Sequence, residues 1–240
     1  MILYYIRHGD PIYNPDSLTP LGERQAEAIG HRLAGRGIDR IYASTSARAQ
    51  ATARPTAEMT KKPVTLLDWC NESYAWEQMT VKNPDGSPRT WCFYDEQTLR
   101  LFCSEEVRAL GMRWYEHPAF SGTEYGAGIR RIADASDSFF EELGYRHDRE
   151  NHCYLPLQKN DERVALFAHQ GFGLTFLSIL LDIPFPLFTT GFDMTHTGMT
   201  VIEWIERMPG VVIPRVLELS ADGHLYRDGL PTKYNNRVWI

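Results

Sequence analysis

Residues 1–9, MILYYIRHG, place six apolar or aromatic residues directly before an arginine, a histidine and a glycine. Because the apolar run is continuous rather than alternating, it predicts a strand buried on both faces, as in a parallel sheet covered by helices. Gly9 allows the backbone to turn close to another group. The polar end of this strand indicates either an ordinary turn or a catalytic histidine at the edge of a sheet.

The residues that follow alternate between strand and helix patterns. Residues 18–37 predict a helix with Thr19 as its N-cap and Pro20 at its first position, and Pro55 predicts a bend in the next helix. The strands are expected at residues 1–6, 38–44, 62–68, 163–171, 198–206 and 214–225, and the helices at 18–37, 45–60, 129–145 and 172–183. This order predicts a three-layer α/β/α sandwich with a mostly parallel central sheet.

The length of 240 residues fits a single domain covering residues 1–240. Residues 73–128 interrupt the alternation with many aromatic residues, weak helical periodicity and no strand run. We interpret them as a mainly helical or irregular insertion. Its aromatic residues predict either a small separate core or a lid that excludes water and shapes substrate choice.

The composition excludes several classes of partner. A net charge of −6 argues against a general nucleic-acid binder, and no apolar run approaches the roughly 20 residues that span a membrane. The start of the chain does not resemble a signal peptide, and the four cysteines show no metal-binding spacing. We therefore expect a cytoplasmic protein with reduced thiols, a small-molecule partner, and no nucleic-acid or membrane partner; a homodimer stays open.

Charged and imidazole side chains follow three of the predicted strands. His8 and His169 each end a strand, and Arg48 falls in the first turn of a helix after another strand. Because ligands of open α/β sheets bind outside the carboxyl ends of the strands, these side chains are expected to face one crevice. Arg7 and Arg48 add fork-shaped donors that match phosphate oxygens, beside a helix N-terminus that already favours anions.

This set of residues suits the cleavage of a phosphate monoester. Two arginines and a protonated histidine could neutralise its charge, and a second, neutral imidazole could attack phosphorus. The leaving oxygen needs a proton from a buried carboxylic acid. Asp68, Glu72 and Glu77 follow the third strand and are the candidates. The mechanism needs no metal and no cofactor, and the remaining histidines show no metal-binding pattern.

The chain resembles the histidine phosphatase superfamily, which is phosphoglycerate mutase-like in fold, and within it the mostly intracellular phosphatase and mutase branch. The resemblance rests on Arg7-His8-Gly9, on LTPLGERQA, on STSARAQATARPTA and on AHQG after a late strand, which cover roughly the first 60 residues and residues 163–181.

The resemblance implies a role for each matching residue. His8 becomes phosphohistidine, while Arg7, Arg48 and His169 bind the phosphoryl group. Asn14 is expected to touch phosphate or substrate. The proton donor of the family is a Glu after the third strand. The usual spacing of this Glu falls on Cys70 here. We favour Glu72, the first Glu after the strand, over Glu77 and place Asp68 third.

Three functions are compatible with this pattern. A phosphomonoester hydrolase is favoured, because residues 11–14, PIYN, differ from the Ser-x-Trp-Asn sequence that glycolytic mutases usually show. The alternatives are a phosphoglycerate mutase-like phosphotransferase and a non-catalytic protein that binds a phosphorylated ligand. The sequence does not identify the substrate.

Overall fold

The structure is a computed structural model, and it describes residues 1–82 and 88–232. The strands are β1 (Ile2–Arg7), β2 (Pro11–Tyr13), β3 (Asp16–Leu18), β4 (Arg40–Ser44), β5 (Val64–Leu67), β6 (Thr80–Val81), β7 (Thr90–Trp91), β8 (Tyr145–Asp148), β9 (Cys153–Pro156), β10 (Arg163–Ala168), β11 (Met199–Glu203), β12 (Glu206–Met208), β13 (Val211–Val212) and β14 (Arg215–Ala221). The helices are α1 (Pro20–Ala34), α2 (Ala47–Thr60), α3 (Glu72–Met79), α4 (Glu96–Phe102), α5 (Glu105–Ala109), α6 (Tyr125–Glu142), α7 (Gln170–Leu180), α8 (Phe185–Gly191) and α9 (Gly223–Arg227). Short 3₁₀ turns cover Asp68–Cys70, Gly111–Glu116 and Pro118–Phe120.

The central sheet has the strand order β14-β11-β1-β10-β4-β5. Strands β1, β10, β4 and β5 are parallel to one another, whereas β11 runs antiparallel to both β1 and β14. The predicted mostly parallel sheet is therefore confirmed, with the two late strands paired at one edge. The parallel arrangement brings the carboxyl ends of β1, β4 and β10 to the same side of the sheet.

Strand β1 lies in the middle of the sheet and is buried on both faces. Leu3 and Tyr5 belong to one hydrophobic cluster, and Tyr4 and Ile6 belong to another. The first cluster continues into α6 and α7 and the second into α1 and α2, so helices cover both faces. This confirms the three-layer sandwich, and it explains why MILYYI is apolar throughout rather than at alternate positions.

The two helices that follow β1 and β4 begin where the sequence predicts. The Thr19 hydroxyl accepts a hydrogen bond from the N–H of Gly22 at 3.0 Å and caps α1. Helix α2 begins at Ala47, which leaves Arg48 in its first turn. Pro55 lies inside α2, which continues beyond it to Thr60.

Residues 73–128 form more structure than the sequence predicts. They contain most of α3, the helices α4 and α5, the start of α6, and a short antiparallel pair of β6 with β7; residues 83–87 lie outside the described residues. Phe93, Phe102 and Trp114 belong to the same hydrophobic cluster as the sheet residues Leu3 and Tyr5. The aromatic side chains thus extend the main core rather than form a separate one.

Two further parts of the fold were missed by the sequence analysis. A four-stranded sheet of order β12-β13-β9-β8 lies outside the central sheet, and α8 follows α7. Strand β8 reads YRHD and β13 has two residues, so neither offers an apolar run that marks a strand. Pairing with neighbouring strands, rather than local sequence, creates these elements.

Two expectations from composition can be compared with the structure. All four cysteines are free, with Cys103 exposed and the other three buried. Among the helices of residues 1–82 and 88–232, none is long and apolar enough to cross a lipid bilayer.

Candidate active site

A cavity of about 780 Å³ opens at the carboxyl ends of the parallel strands. Arg7 and His8 enter it from the end of β1, and Arg48 from the first turn of α2. Glu72 enters from the start of α3, and Gln170 from the start of α7. Several separate segments therefore meet in one place, as expected from the position of the strand ends.

His8 has the geometry of a neutral nucleophile. Its ring is 2% exposed, and Nδ1 lies 2.7 Å from the carbonyl oxygen of Gly9. Since a carbonyl can only accept, Nδ1 carries the proton and Nε2 keeps a free electron pair. Burial, followed by the nearby charges of His169, Arg7 and Arg48, lowers the pKa of His8 well below 6.5, so the ring is neutral at pH 7.

Arg7 is held in place by groups on the segment that precedes β11. Its guanidinium donates to the carbonyl of Met194 at 2.6 Å and to Nε2 of His196 at 2.8 Å. Because arginine has no acceptor, His196 must accept through Nε2, which places its proton on Nδ1, 3.5 Å from the Asp10 carboxylate. Arg7 is 1% exposed, so this buried network fixes a cation in the cavity wall.

Arg48 pairs with an acid that the sequence analysis did not single out. Asp16 accepts a hydrogen bond from Arg48 at 2.8 Å with one carboxylate oxygen, and from the N–H of Ala47 at 2.7 Å with the other. It thereby holds the N-terminus of α2, where a negative charge is favoured. The Arg48 Nε atom is buried without a hydrogen-bond partner among the described residues. Asp16 lies in the hairpin of β2 and β3, whose position only the fold reveals.

His169 is fully buried beside His8, with ring centroids 5.2 Å apart. Its Nε2 lies 2.8 Å from the Ser44 hydroxyl, and its Nδ1 lies 3.3 Å from the Glu72 carboxylate. Burial, then the charges of Arg48 and Arg7, lowers the pKa of His169 well below 6.5. The ring is therefore neutral at pH 7 in this structure, whereas the sequence analysis assumed that it is protonated.

Of the three carboxylates considered as proton donors, Glu72 lines the cavity and the other two do not. Its Oε1 accepts a hydrogen bond from the N–H of Phe172 at 2.9 Å, at the N-terminus of α7. Burial raises the pKa of Glu72 and outweighs the opposing effects of this bond and of the two arginines. A buried carboxyl with a raised pKa is suited to acid catalysis.

Glu77 and Asp68 occupy different surroundings. The side chain of Glu77 is 66% exposed and pairs with Arg89 at 2.6 Å. Asp68 accepts hydrogen bonds from the hydroxyls of Thr45 and Tyr74, which lower its pKa. Neither carboxylate lines the cavity, and the hydrogen bonds to Asp68 favour its charged form over the protonated form that a general acid requires.

Asn14 is exposed in the turn between β2 and β3, and it does not line the cavity. The structure therefore brings together Arg7, His8, Arg48, Glu72 and His169, but not Asn14. The hairpin sends Tyr13 and Asp16 to the cavity instead.

Aromatic side chains also line the cavity, and the Arg48 guanidinium lies over one of them, 5.4 Å from the centroid of the Tyr13 ring. Tyr13, Trp76 and Trp91, which we call the aromatic wall, come from the β2–β3 hairpin, α3 and β7. The two indole rings meet edge to face, with centroids 5.0 Å apart and planes at 87°. Their positions depend on residues far apart in the chain, which explains why sequence analysis assigned them no place in the site.

Among the described residues, one group of side chains could hold a metal ion: His8, Glu72 and His169, whose ligand atoms lie within 4.8 Å of one another. The Nδ1 atom of His8 is used by Gly9, and the cations Arg7 and Arg48 lie beside the group. These charges favour an anion at this position over a cation. The absence of a metal from the mechanism stays a prediction.

The comparison with protein-family models matches residues 3–214 to the histidine phosphatase superfamily, branch 1. Among curated proteins, none matches this chain with significant similarity.

Solved structures of similar fold include three phosphatases. A mycobacterial glucosyl-3-phosphoglycerate phosphatase has a TM-score of 0.59 at 20% identity, covering 92% of this chain and 98% of that chain. A phosphoserine phosphatase from Entamoeba histolytica has a TM-score of 0.57 at 19% identity, covering 93% and 98%. An α-ribazole phosphatase from Shigella flexneri has a TM-score of 0.56 at 19% identity, covering 92% and 97%. At these identities the likeness establishes the fold.

Proposed function

The chain belongs to the histidine phosphatase superfamily, branch 1, and we propose that it hydrolyses phosphate monoesters through a phosphohistidine formed on His8. Three solved structures of the same fold are named as phosphatases of glucosyl-3-phosphoglycerate, phosphoserine and α-ribazole. The names of these proteins share one kind of reaction, the removal of phosphate, and this shared chemistry supports the proposal.

In the first half-reaction, the electron pair of His8 Nε2 attacks phosphorus and forms the P–N bond. The bond from phosphorus to the ester oxygen breaks, and Glu72 gives its proton to that oxygen, so that a neutral alcohol leaves. Arg7 and Arg48 bind the phosphoryl oxygens and stabilise the charge that they carry in the transition state.

In the second half-reaction, water attacks the phosphohistidine. The Glu72 carboxylate, left deprotonated by the first step, accepts a proton from this water while the P–N bond breaks. The products are inorganic phosphate and neutral His8 with its electron pair restored. A bound dianion raises the pKa of His169, so that the ring takes up a proton and can donate through Nδ1 to a phosphoryl oxygen.

One observation carries the proposal. His8 is buried, neutral and fixed in the tautomer that leaves Nε2 free, and it lies between two buried arginines. A histidine with a purely structural role would gain no stability from this combination, because the arginines disfavour its protonation and create an anion-binding site beside it. A nucleophile that attacks a phosphate requires both features.

The charges of the cavity also bear on the mutase alternative. Apart from Arg7 and Arg48, no arginine or lysine among the described residues lines the cavity. A phosphoglycerate mutase must bind the carboxylate of its substrate as well as the phosphate. Among the described residues that line the cavity, no further cation is present to bind that carboxylate. This favours transfer of the phosphoryl group to water.

The proposal is tested by trapping the intermediate. Rapid mixing with ³²P-labelled p-nitrophenyl phosphate, followed by an alkaline quench that preserves phosphohistidine, should give labelled protein in the wild type and none in His8→Gln. His31→Gln is the matched control, because His31 lies on the exposed face of α1 with 55% of its side chain exposed.

The outcome separates the three functions. Label on His8 with release of inorganic phosphate supports the hydrolase. Label with transfer between the positions of 3-phosphoglycerate in the presence of 2,3-bisphosphoglycerate supports the mutase and contradicts our proposal. Phosphate binding without label or turnover indicates a non-catalytic protein.

A further inference from the structure

We propose that the substrate is the phosphate monoester of an alcohol that carries a flat aromatic group and no second anionic group. The inference rests on the proposed function, and it concerns the part of the cavity that the phosphoryl group does not occupy. The aromatic wall, defined above as Tyr13, Trp76 and Trp91, is the feature that points to it.

The cavity has room for a substrate with a large leaving group. Its volume of about 780 Å³ lies within the range of about 300–1,000 Å³ that is typical of sites for whole organic ligands. A phosphoryl group held by Arg7, His8 and Arg48 fills only part of this volume. The residues that line the cavity include the aromatic wall, which comes from α3, β7 and the β2–β3 hairpin.

The two indole rings of the aromatic wall are fixed before any ligand arrives. Trp91 stacks on Phe93 with centroids 5.3 Å apart and planes at 15°. The tip of its six-membered ring packs on Gly171, so closely that a Cβ atom there would lie 2.4 Å from Trp91 Cη2. Trp76 and Trp91 pack edge to face. A fixed wall of indole rings loses little conformational freedom when it binds an aromatic group.

The charges of the cavity disfavour a second anion on the substrate. Beyond Arg7 and Arg48, the acids and bases that line it among the described residues are His8, which is neutral, and the carboxyl groups of Asp16 and Glu72. A carboxylate or a second phosphate on the leaving group would meet no free cation and would lie near Asp16. This arrangement selects against such substrates through repulsion.

The polar groups beside the aromatic wall are already bonded to one another. The Asn71 amide donates to the Thr45 hydroxyl at 2.9 Å and accepts from the Ser73 hydroxyl at 2.9 Å. These side chains therefore have fewer donors and acceptors left for hydrogen bonds to a sugar-like leaving group. Stacking is then the main contact available to the leaving group.

The test compares three esters whose alcohols are all primary and similarly poor leaving groups: 3-phenylpropyl phosphate, n-propyl phosphate and 4-phosphonooxybutanoate. We expect kcat/KM for the phenyl ester to exceed that of the propyl ester by about tenfold or more, since stacking contributes energy beyond simple burial. We expect the carboxylate ester to be the poorest substrate. The same order is expected for the affinities of the three corresponding phosphonates, measured by titration calorimetry.

The variant that isolates the aromatic wall is Trp76→Leu, which keeps an apolar side chain but removes the flat ring. It should lower the ratio of kcat/KM between the phenyl and propyl esters to about threefold or less, by loss of stacking. Tyr226→Leu is the matched control, because Tyr226 is 91% exposed on α9 and does not line the cavity. The ratio of kcat/KM between the phenyl and propyl esters should be the same in Tyr226→Leu as in the wild type.

The outcomes separate this inference from the proposed function. Three results overturn the inference and leave the proposed phosphatase activity standing: equal rates for the phenyl and propyl esters, preference for the carboxylate ester, or an unchanged ratio in Trp76→Leu. Absence of turnover and of phosphoenzyme overturns the proposed function, and the phosphonate affinities then still decide whether the aromatic wall selects aromatic groups.

Discussion

The two ends of the cavity are built on different principles. At the phosphate end, Arg7, His8 and His169 are almost fully buried at strand ends. Hydrogen bonds to other segments fix Arg7 and His169, and a bond to the carbonyl of Gly9 fixes the His8 ring. At the aromatic wall, Trp76 and Trp91 are half-buried and come from elements outside the central sheet. We therefore expect the proposed reaction to depend on side chains at the strand ends and at the starts of α2 and α3, and the choice of alcohol to depend on Trp76 and Trp91. Mutations at the first end should therefore affect all substrates, and mutations at the second should affect them unequally.

The largest expected effect is that of Arg7→Ala. It removes a buried cation from the phosphoryl group, and loss of one such donor costs about 10²–10³-fold in kcat. Because the phosphoryl group is common to all substrates, the 3-phenylpropyl and propyl esters should lose activity equally, which steady-state kinetics measures. Unequal losses would show that the two ends of the cavity are not independent. Arg54→Ala, which removes an exposed arginine of α2 outside the cavity, is the control.

The second effect is that of Glu72→Gln, which removes the proposed acid but keeps its shape. For alkyl phosphates we expect kcat/KM, which reports the first half-reaction, to fall by about 10²–10³-fold. For p-nitrophenyl phosphate, whose leaving group needs no proton, the loss in kcat/KM should be much smaller. Glu77→Gln, on the same helix but exposed and outside the cavity, should behave like the wild type. An equal loss with both kinds of ester would contradict the acid role.

The pH dependence follows from the same groups. Glu72 must be protonated in the first half-reaction, and burial raises its pKa, so kcat/KM for an alkyl phosphate should fall as the pH rises through this raised pKa. His8 must be neutral, and its pKa is lowered, so loss by protonation of His8 should begin only well below pH 6.5. A pH profile of kcat/KM measures both limbs. Glu72→Gln should lose the alkaline limb, and an unchanged limb in this variant would assign it to another group.

A smaller effect is expected from His196→Ala. His196 does not line the cavity, and it acts by accepting a hydrogen bond from Arg7. Loss of a bond to a charged group corresponds to about tenfold or more, and we expect it in KM because Arg7 loses its orientation towards phosphate. His196→Asn keeps an acceptor and should restore much of the affinity. Failure of Asn to do better than Ala would argue against a positioning role.

The smallest effect is that of Gly171→Ala, at the point where the two ends meet. A Cβ atom would lie 2.4 Å from Trp91 Cη2 and 2.8 Å from Glu72 Oε1, and such overpacking costs about 1–3 kcal/mol of stability. The ratio between the phenyl and propyl esters should fall a few-fold, because Trp91 must shift. Gly191→Ala, where no atom lies within 4 Å of the added Cβ, is the control for thermal unfolding and for the ratio.

The central part of the fold was predictable because local patterns encode it. The strand of residues 1–6 and the Thr19 cap of α1 were read from burial periodicity and capping chemistry, and both are found in the structure. Strands such as β8 and β13 were not predictable, since they are short and partly polar and exist through pairing with other strands. The hairpin of β2 and β3 belongs to the same class, which is why the sequence analysis singled out Asn14, which does not line the cavity, and not Asp16, which does.

The sequence by itself determined the chemistry at the strand ends. A histidine after an apolar strand must lie at the carboxyl edge of a parallel sheet, so the chain order alone brings Arg7, His8, Arg48 and His169 to one side. Tertiary structure decided the rest. Only packing shows that Glu72 is buried against α7 while Glu77 faces solvent, and that Trp91 lies on Gly171 across 80 residues of chain. Burial sets the pKa of an acid and the shape of a cavity, and burial is a property of contacts between distant segments rather than of local sequence.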